Sequence, residues 1–165
     1  MRLLLDDTLA TLPYMLPLVE GWIAPGDLRP ERRTALRAAD LEPGDAALLP
    51  LPEAALLPEL FGIVPGIAAI ADGVGAYALR TPVRPDEIEG ATVRLLDVSP
   101  VGVVLARATV GPYFGIAPIV WTPEADPAAQ AVVVEGLAAL RPVEGGFSED
   151  LARAWFILTG LPVVS

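Results

Sequence analysis

Residues 87–116 read EIEGATVRLLDVSPVGVVLARATVGPYFGI, and this stretch predicts a strand, a tight turn and a buried helix. Thr92 to Leu96 is a short β-prone run of the length expected for a strand buried on both faces. Ser99 offers a hydroxyl at the N-cap, and Pro100 occupies the first helical position, where proline is tolerated. The free N–H groups of such a helix point out of the carboxyl edge of a sheet, where α/β folds commonly hold anions. We therefore expect ligand contacts at Ser99, Pro100, Val101 and Gly102.

The composition excludes several classes of function. The chain has 165 residues, 53% of them hydrophobic, and a formal net charge of −10 from 21 acidic residues against 11 basic ones, all arginine. Phosphate binding needs a basic face, so we expect no nucleic-acid partner. The sequence contains neither cysteine nor histidine, which removes thiolate nucleophiles and histidine bases and leaves metal binding to carboxylates alone. We expect no metal and no cofactor.

The start of the chain and its most apolar stretch both bear on location. The opening MRLLLDD has an apolar run that Asp6 and Asp7 cut short, too short for a signal peptide. Val98 to Trp121 is apolar but contains Pro112 and Pro118, and proline removes helical hydrogen bonds that lipid cannot replace. We therefore expect a cytoplasmic protein with no membrane contact.

Apolar runs separated by turn residues predict further strands and helices. Strands are expected at Arg2–Leu5, within Leu28–Leu41, and at Asp45–Leu49, Ala76–Thr81, Ile119–Trp121, Ala131–Val134 and the closing LPVVS. Helices are expected from Thr11 to near Gly21, over Ala35–Ala39, Pro50–Leu57 and Leu137–Leu140, and from a Ser148 cap to Gly160. Strands that alternate with helices indicate an α/β fold with mostly parallel pairing.

Polar and acidic residues follow several of these strands. In an α/β fold the loops at the carboxyl ends of the strands converge on one edge, where ligands bind. This predicts further ligand contacts at Asp7, Thr8, Ala10, Pro50, Glu53, Asp72 and Gly73, with Asp7 and Asp72 as the candidate catalytic carboxylates. The acidic residues of these loops also have structural alternatives. Asp6 and Asp7 fit a solvated strand end, Asp72 before Gly73 fits a turn, and Glu53 fits the first turn of a helix, where an acid is favourable.

The order of these segments resembles the chorismate dehydratase branch of the menaquinone (futalosine pathway) enzymes. Asp150 to Val163, DLARAWFILTGLPV, is similar to the family's DLGEAWKELTGLPF. Arg2 to Pro13 resembles its opening strand and loop, and Asp45 to Leu57 its DVALIP strand with an acidic helix start. Ile67 to Gly73 resembles the family's ISIGSDG run, and Pro85 to Ile116 its P-E-E-L-x-G crossing, strand, long helix and Y-G-I exit.

The sequence departs from the family at the polar residues of the family's active-site motifs. The asparagine of the family's SYLN motif corresponds to Ala10, and the usual Ser/Thr-rich turn is reduced to Ser99. The family's GDAAL becomes GLAAL, with Leu137 in place of the aspartate. The related naphthoate synthases use a histidine base, which this chain lacks.

The resemblance implies a two-lobed periplasmic-binding-protein-like (type II) α/β fold, shortened at its C-terminus. The first lobe is expected to span residues 1–84, with 161–165 as a return strand, and the second residues 85–160. The resemblance implies a ligand cleft between the lobes, reached by the loops named above.

Three functions follow as alternatives. The first is a non-catalytic or weakly active relative of chorismate dehydratase that binds a small carboxylate metabolite in this interlobe cleft. The second is an active lyase of the chorismate dehydratase type, with Asp7, Asp72 or Ser99 in substituted roles, so enzyme activity stays open. The third is a structural or interaction protein with no small ligand. Because the shortened first lobe would leave Asp45–Leu49 and Leu161–Val164 open to water on one side, we also expect a homodimer.

Overall fold

The computed structural model describes residues 1–8, 11–64, 70–71, 76–95, 97–117, 119–123 and 127–164, and these form an α/β structure. The chain divides into two compact units: unit one comprises Met1–Ile70 with Val164–Ser165, and unit two comprises Ala71–Val163. The sequence places the change of lobe at 84/85 and the return at 160/161. In the structure Tyr77–Thr81 already belongs to the main sheet of unit two, so the segment Thr81–Asp86 lies inside that unit rather than at its boundary.

Unit one is built on a three-stranded parallel sheet. Its elements are β1 (Arg2–Asp6), α1 (Leu12–Val19), β2 (Arg29–Arg33), β3 (Ala46–Leu48) and α2 (Leu51–Ala54). The strand order is β2-β1-β3, so the first strand lies in the middle. Its apolar core includes Leu4, Leu5, Met15 of α1 and Leu36, all almost completely buried. The predictions of β1, β3 and both helices are confirmed, although α2 is shorter than predicted.

The helix predicted over Ala35–Ala39 is wrong. Only a 3-10 turn at Ala38–Asp40 forms there. Ala35 has a left-handed backbone with φ of 54°, which interrupts any right-handed helix. Asp6 Oδ1 accepts a hydrogen bond from Leu36 N at 3.1 Å, and Glu53 Oε2 accepts one from Ala38 N at 2.9 Å. These two carboxylates therefore hold the segment as a loop, an arrangement that helix propensity does not anticipate.

Unit two is built on a five-stranded mixed sheet. Its elements are β5 (Tyr77–Thr81), β6 (Ala91–Arg94), α3 (Pro100–Phe114), β7 (Ile119–Thr122), β8 (Ala131–Glu135), α4 (Leu137–Leu140), β9 (Phe147–Asp150) and α5 (Leu151–Thr159). The strand order is β7-β6-β8-β5-β9. β6 is parallel to β7 and β8, whereas β5 is antiparallel to β8 and β9, so the sheet is less uniformly parallel than predicted.

The core of unit two lies between one face of this sheet and the helices α3 and α5. Leu79, Val93 and Val133 point to that face and are completely buried with Val110 of α3 and Leu151 of α5. Side chains alternate across a strand, so the residues on either side of these three point to the opposite face. The sequence correctly predicts α3 with its Ser99 cap.

The start of α5 differs from the prediction. Ser148 does not cap this helix, because it lies within β9 and pairs with Arg80 of β5. The cap is Asp150, whose Oδ1 accepts from Ala152 N at 2.8 Å and from Arg153 N at 3.1 Å. The helix ends as predicted at Gly160, which adopts the left-handed conformation.

Two short strands mark the places where the chain passes from one unit to the other. They are β4 (Ile70–Ala71) and β10 (Val163–Val164), which pair in a two-stranded sheet. The closing strand is therefore confirmed, but Val163 is only 7% exposed and does not face water. Among the helices of the described ranges, none is both long enough and apolar enough to cross a membrane.

Candidate functional site

Each unit contains one point at which the strand order reverses. In unit one the chain continues from β1 to β2 on one side and later adds β3 on the other. In unit two it continues from β6 to β7 on one side and later adds β8 on the other. Ligands of open α/β sheets bind beside the carboxyl ends of the strands at such switch points. The residues after β1, β3, β6 and β8 therefore form the candidate sites, one in each unit.

The edge of unit one carries a guanidinium and two hydroxyl groups. The predicted contact Asp7 is exposed, and its Oδ2 lies 2.7 Å from Nη2 of Arg32, the penultimate residue of β2. Thr11 Oγ1 donates to the carbonyl of Asp6 and accepts from Thr8 N at 3.2 Å. The Thr11 hydroxyl thus links the end of β1 to Thr8 and makes no side-chain cap to α1.

Two acidic residues of this edge are buried and serve the fold. Asp6 is 1% exposed, so the expectation of a solvated strand end is wrong for this residue. Burial raises the pKa of Asp6, and the neighbouring backbone N–H groups, Leu36 foremost, oppose the shift without cancelling it. The predicted contact Glu53 is 5% exposed and binds the amide of Ala38, with Arg37 Nη1 3.6 Å from its other oxygen. Pro50 is also buried, so among the predicted contacts of this edge that the structure describes, solvent reaches Asp7 and Thr8.

The edge of unit two is occupied by a carboxylate of the chain itself. Ser99 caps α3, its Oγ accepting from Gly102 N at 3.2 Å. Glu135, the last residue of β8, accepts from Ser99 N through Oε2 at 2.7 Å. In an ordinary capping box the acid that returns to the N-cap amide is the third residue of the helix. That position here is Gly102, and the acid comes from another strand.

Gly102 is the residue that makes room for this arrangement. A Cβ at this position would lie 2.5 Å from Val98 Cγ1, 3.1 Å from Glu135 Oε2 and 3.2 Å from Tyr77 Cδ1. Contacts below 3.0 Å are too close for carbon atoms in van der Waals contact. Val101 and Gly102 are buried and Ser99 and Pro100 half-buried, so the predicted contact segment presents only its first two residues to solvent.

Sequence reasoning missed Glu135, Asp6 and the Asp7–Arg32 pair. One local signal was available for Glu135: Ser99-Pro-Val-Gly102 has the first residue of a capping box without its acid. Three predicted contacts, Ala10, Asp72 and Gly73, lie outside the described residues. Leu137, which replaces the family's aspartate, is the first residue of α4 and is 62% exposed.

The chemistry available at these edges is that of binding. An activated hydroxyl nucleophile needs a base within hydrogen-bonding reach. In the described part of both edges, the hydroxyls of Thr8, Thr11 and Ser99 form no hydrogen bond with a carboxylate. Over the same described ranges, no cluster of three or more acidic side chains has the spacing of a metal site. Neither the scan of protein-family models nor the search of curated proteins gives a match for this chain.

Proposed function

We propose that this protein is a non-catalytic relative of the chorismate dehydratases, with a two-lobed periplasmic-binding-protein-like (type II) fold, that binds a small carboxylate metabolite in the cytoplasm. The observation that carries the proposal is the repeated strand order. Unit one has β2-β1-β3 and unit two has β7-β6-β8, so each places its first parallel strand between its second and third. A helix follows that first strand in both units, at the reversal of strand order where α/β folds bind ligands.

Arg32 is the group that we assign to the ligand carboxylate. A guanidinium matches a carboxylate with two parallel hydrogen bonds, and the side chain of Arg32 is 46% exposed. The start of α3 is a poorer anchor, because the carboxylate of Glu135 already accepts the hydrogen bond of the N-cap amide, Ser99 N. An incoming carboxylate would have to displace Glu135 there, whereas at Arg32 it exchanges with the partly exposed Asp7.

We expect no turnover, because the residues that would have to carry out the chemistry are either apolar or already engaged in structural contacts. Ala10 and Leu137 stand where the resemblance implies an asparagine and an aspartate, and neither alanine nor leucine has a side-chain atom that can donate or accept a hydrogen bond. Ser99 acts as a helix cap, and Asp7 is engaged by Arg32. Loss of a single positioned donor in an active site costs about 100- to 1000-fold in rate. We therefore expect no formation of the enolpyruvyl benzoate product at a rate comparable with the family.

Calorimetric titration with a panel of small carboxylates, chorismate and substituted benzoates among them, tests the proposal. At least one compound should bind, and Arg32→Gln should weaken it about tenfold, the worth of one charge-assisted hydrogen bond. Arg29→Gln is the matched control, because Arg29 is an exposed arginine at the other end of the same strand. Failure of the whole panel to bind at 1 mM would refute carboxylate binding, and rapid dehydration of chorismate would establish the lyase instead.

We also propose that the chain forms a homodimer, through a surface that shares only Leu161 with the one that the sequence suggests. The end of α5 and the turn after it expose Phe156, Ile157, Leu158 and Leu161, each at least 40% exposed. Monomeric proteins seldom leave such apolar surface contiguous and uncovered. Light scattering should give twice the chain mass at micromolar concentration and a monomer for Ile157→Glu. The control is Val104→Glu, at an apolar α3 residue with the same 55% exposure; a monomeric wild type contradicts the proposal.

A further inference from the structure

A row of polar and charged side chains crosses the sheet of unit two on the face opposite α3 and α5. The register pairs Arg80 with both Val132 and Ser148, and Arg94 with both Val132 and Thr122. The five residues therefore lie side by side across all five strands, in the order Thr122, Arg94, Val132, Arg80, Ser148. Directly paired residues of neighbouring strands point to the same face. Two arginines thus stand on either side of one valine.

These two arginines differ from others in the chain in their partners. Arg2, Arg32, Arg33, Arg37 and Arg84 each lie within 4 Å of a carboxylate oxygen. Within the described part of the chain, neither Arg80 nor Arg94 forms such a pair, and the Nε atom of each is buried without a hydrogen-bond acceptor. Arg80 Nη2 donates to the carbonyls of Ala138 and Arg141, which are neutral.

A half-buried guanidinium without a negative partner is costly, because its charge has lost part of its hydration. The chain has a net charge of −10 and therefore many carboxylates, yet none of those described pairs with Arg80 or Arg94. Neighbouring strands lie about 4.8 Å apart, so the backbones of Arg80 and Arg94 are about 10 Å apart across Val132. Arginine side chains are long enough for both guanidinium groups to converge over that valine. Val120 of β7 is 61% exposed, so the β7 side of this face is open to solvent, whereas the carbonyls of Ala138 and Arg141 lie at its Arg80 side.

We propose that this row binds an oxyanion, a phosphate or carboxylate group held over Val132 by the guanidinium groups of Arg94 and Arg80. Arginine pairs recognise both groups through bidentate charge-assisted hydrogen bonds. The hydroxyl-bearing residues Thr122 and Ser148 flank the two arginines on the same face. This site lies on a face of the sheet of unit two, whereas Arg32 belongs to unit one, so it is independent of the carboxylate site assigned to Arg32.

Thermal unfolding of the whole chain in inorganic phosphate, and separately in acetate, tests the site against sodium chloride of equal ionic strength. An anion at ten times its dissociation constant should raise the melting temperature of the wild type by about 3–5 °C. Arg94→Gln should lose this shift. Arg153→Gln, which removes an exposed arginine of α5 from the same unit, should keep it. The arm that responds identifies the group as phosphate or carboxylate. An equal response of wild type and Arg94→Gln, or no response to either anion, overturns the proposal.

Val132→Glu provides a second test that does not remove an arginine. The new carboxylate would lie between Arg80 and Arg94 and fill the site, so this variant should show no anion-specific shift. The variant should also remain folded, because the new carboxylate lies beside two guanidinium groups. A Val132→Glu protein that retains the wild-type response to phosphate or acetate contradicts the assignment, even if Arg94→Gln proves too unstable to measure.

Discussion

Replacing Gly102 by alanine should destabilise the protein, whereas the same replacement at Gly111, in the same helix, should leave its stability nearly unchanged. Alanine has the higher helix propensity, and exchanging an interior glycine for it is worth about 0.5–1 kcal/mol where space allows. At Gly111 the new Cβ meets Ile116 O and Ile119 Cδ1 at 3.7 Å, ordinary contact distances. Pro112 follows Gly111, and a proline ring crowds a Cβ on the residue before it, so part of the gain is lost and we expect a melting temperature within about 2 °C of the wild type.

At Gly102 the new Cβ would lie 2.5 Å from Val98 Cγ1 and 3.1 Å from Glu135 Oε2. Val98 packs against the core and has one branched torsion, so relieving the contact requires the valine or the helix to move. Overpacking of this kind costs about 1–3 kcal/mol, and displacing Glu135 adds part of a hydrogen bond to Ser99. After subtracting the propensity gain, we expect a net loss of about 1–2 kcal/mol, or about 3–6 °C.

Thermal and urea unfolding of the two variants, followed by circular dichroism, measures both effects. The matched pair isolates the close approach, because both glycines lie inside α3 and the chemical change is identical. Equal shifts for the two variants, or a Gly102→Ala protein at least as stable as the wild type, would refute the reasoning that Glu135 and Val98 reserve the space beside Gly102.

Three further predictions concern the carboxylates. Glu135→Ala should lower stability by about 1 kcal/mol, because it leaves Ser99 N without its acceptor, and Glu135→Gln should lose less, because its amide oxygen can still accept. Urea unfolding measures the difference, and equal losses for the two variants would contradict the capping role. Burial raises the pKa of Asp6, so its contribution to stability is greatest below the ordinary carboxyl pKa and is lost as pH rises through the raised value. Unfolding free energies measured against pH should therefore show the wild type losing stability relative to Asp6→Asn as pH rises, and a flat difference would disprove the burial argument. The Arg2 guanidinium lowers the pKa of Asp45, so Asp45→Asn should destabilise at neutral pH and have less effect as pH falls through that lowered value, in the same pH series.

The sequence alone determined most of the secondary structure, because its signals are local. Ser99 before Pro100 predicts the start of α3, and Gly160 before a proline predicts the end of α5. The apolar run at Asp45–Leu49 predicts β3, because a short apolar run between turn residues is itself a strand signal. The same local rules gave a helix over Ala35–Ala39 that does not form, since nothing within that segment reports the two carboxylates that bind its amides.

Tertiary structure alone decided which side chains share a site. Glu135 is 36 residues from Ser99, and Asp6 is 30 from Leu36, so no spacing rule connects either pair. The pairing of Arg80 and Arg94 across Val132 depends on β5 and β6 both lying beside β8, which is a matter of strand order. Hydrogen bonds and charge pairs act over a few ångströms of space irrespective of distance along the chain. Periodicity and capping rules therefore place the elements, whereas sheet topology and register decide which charges meet.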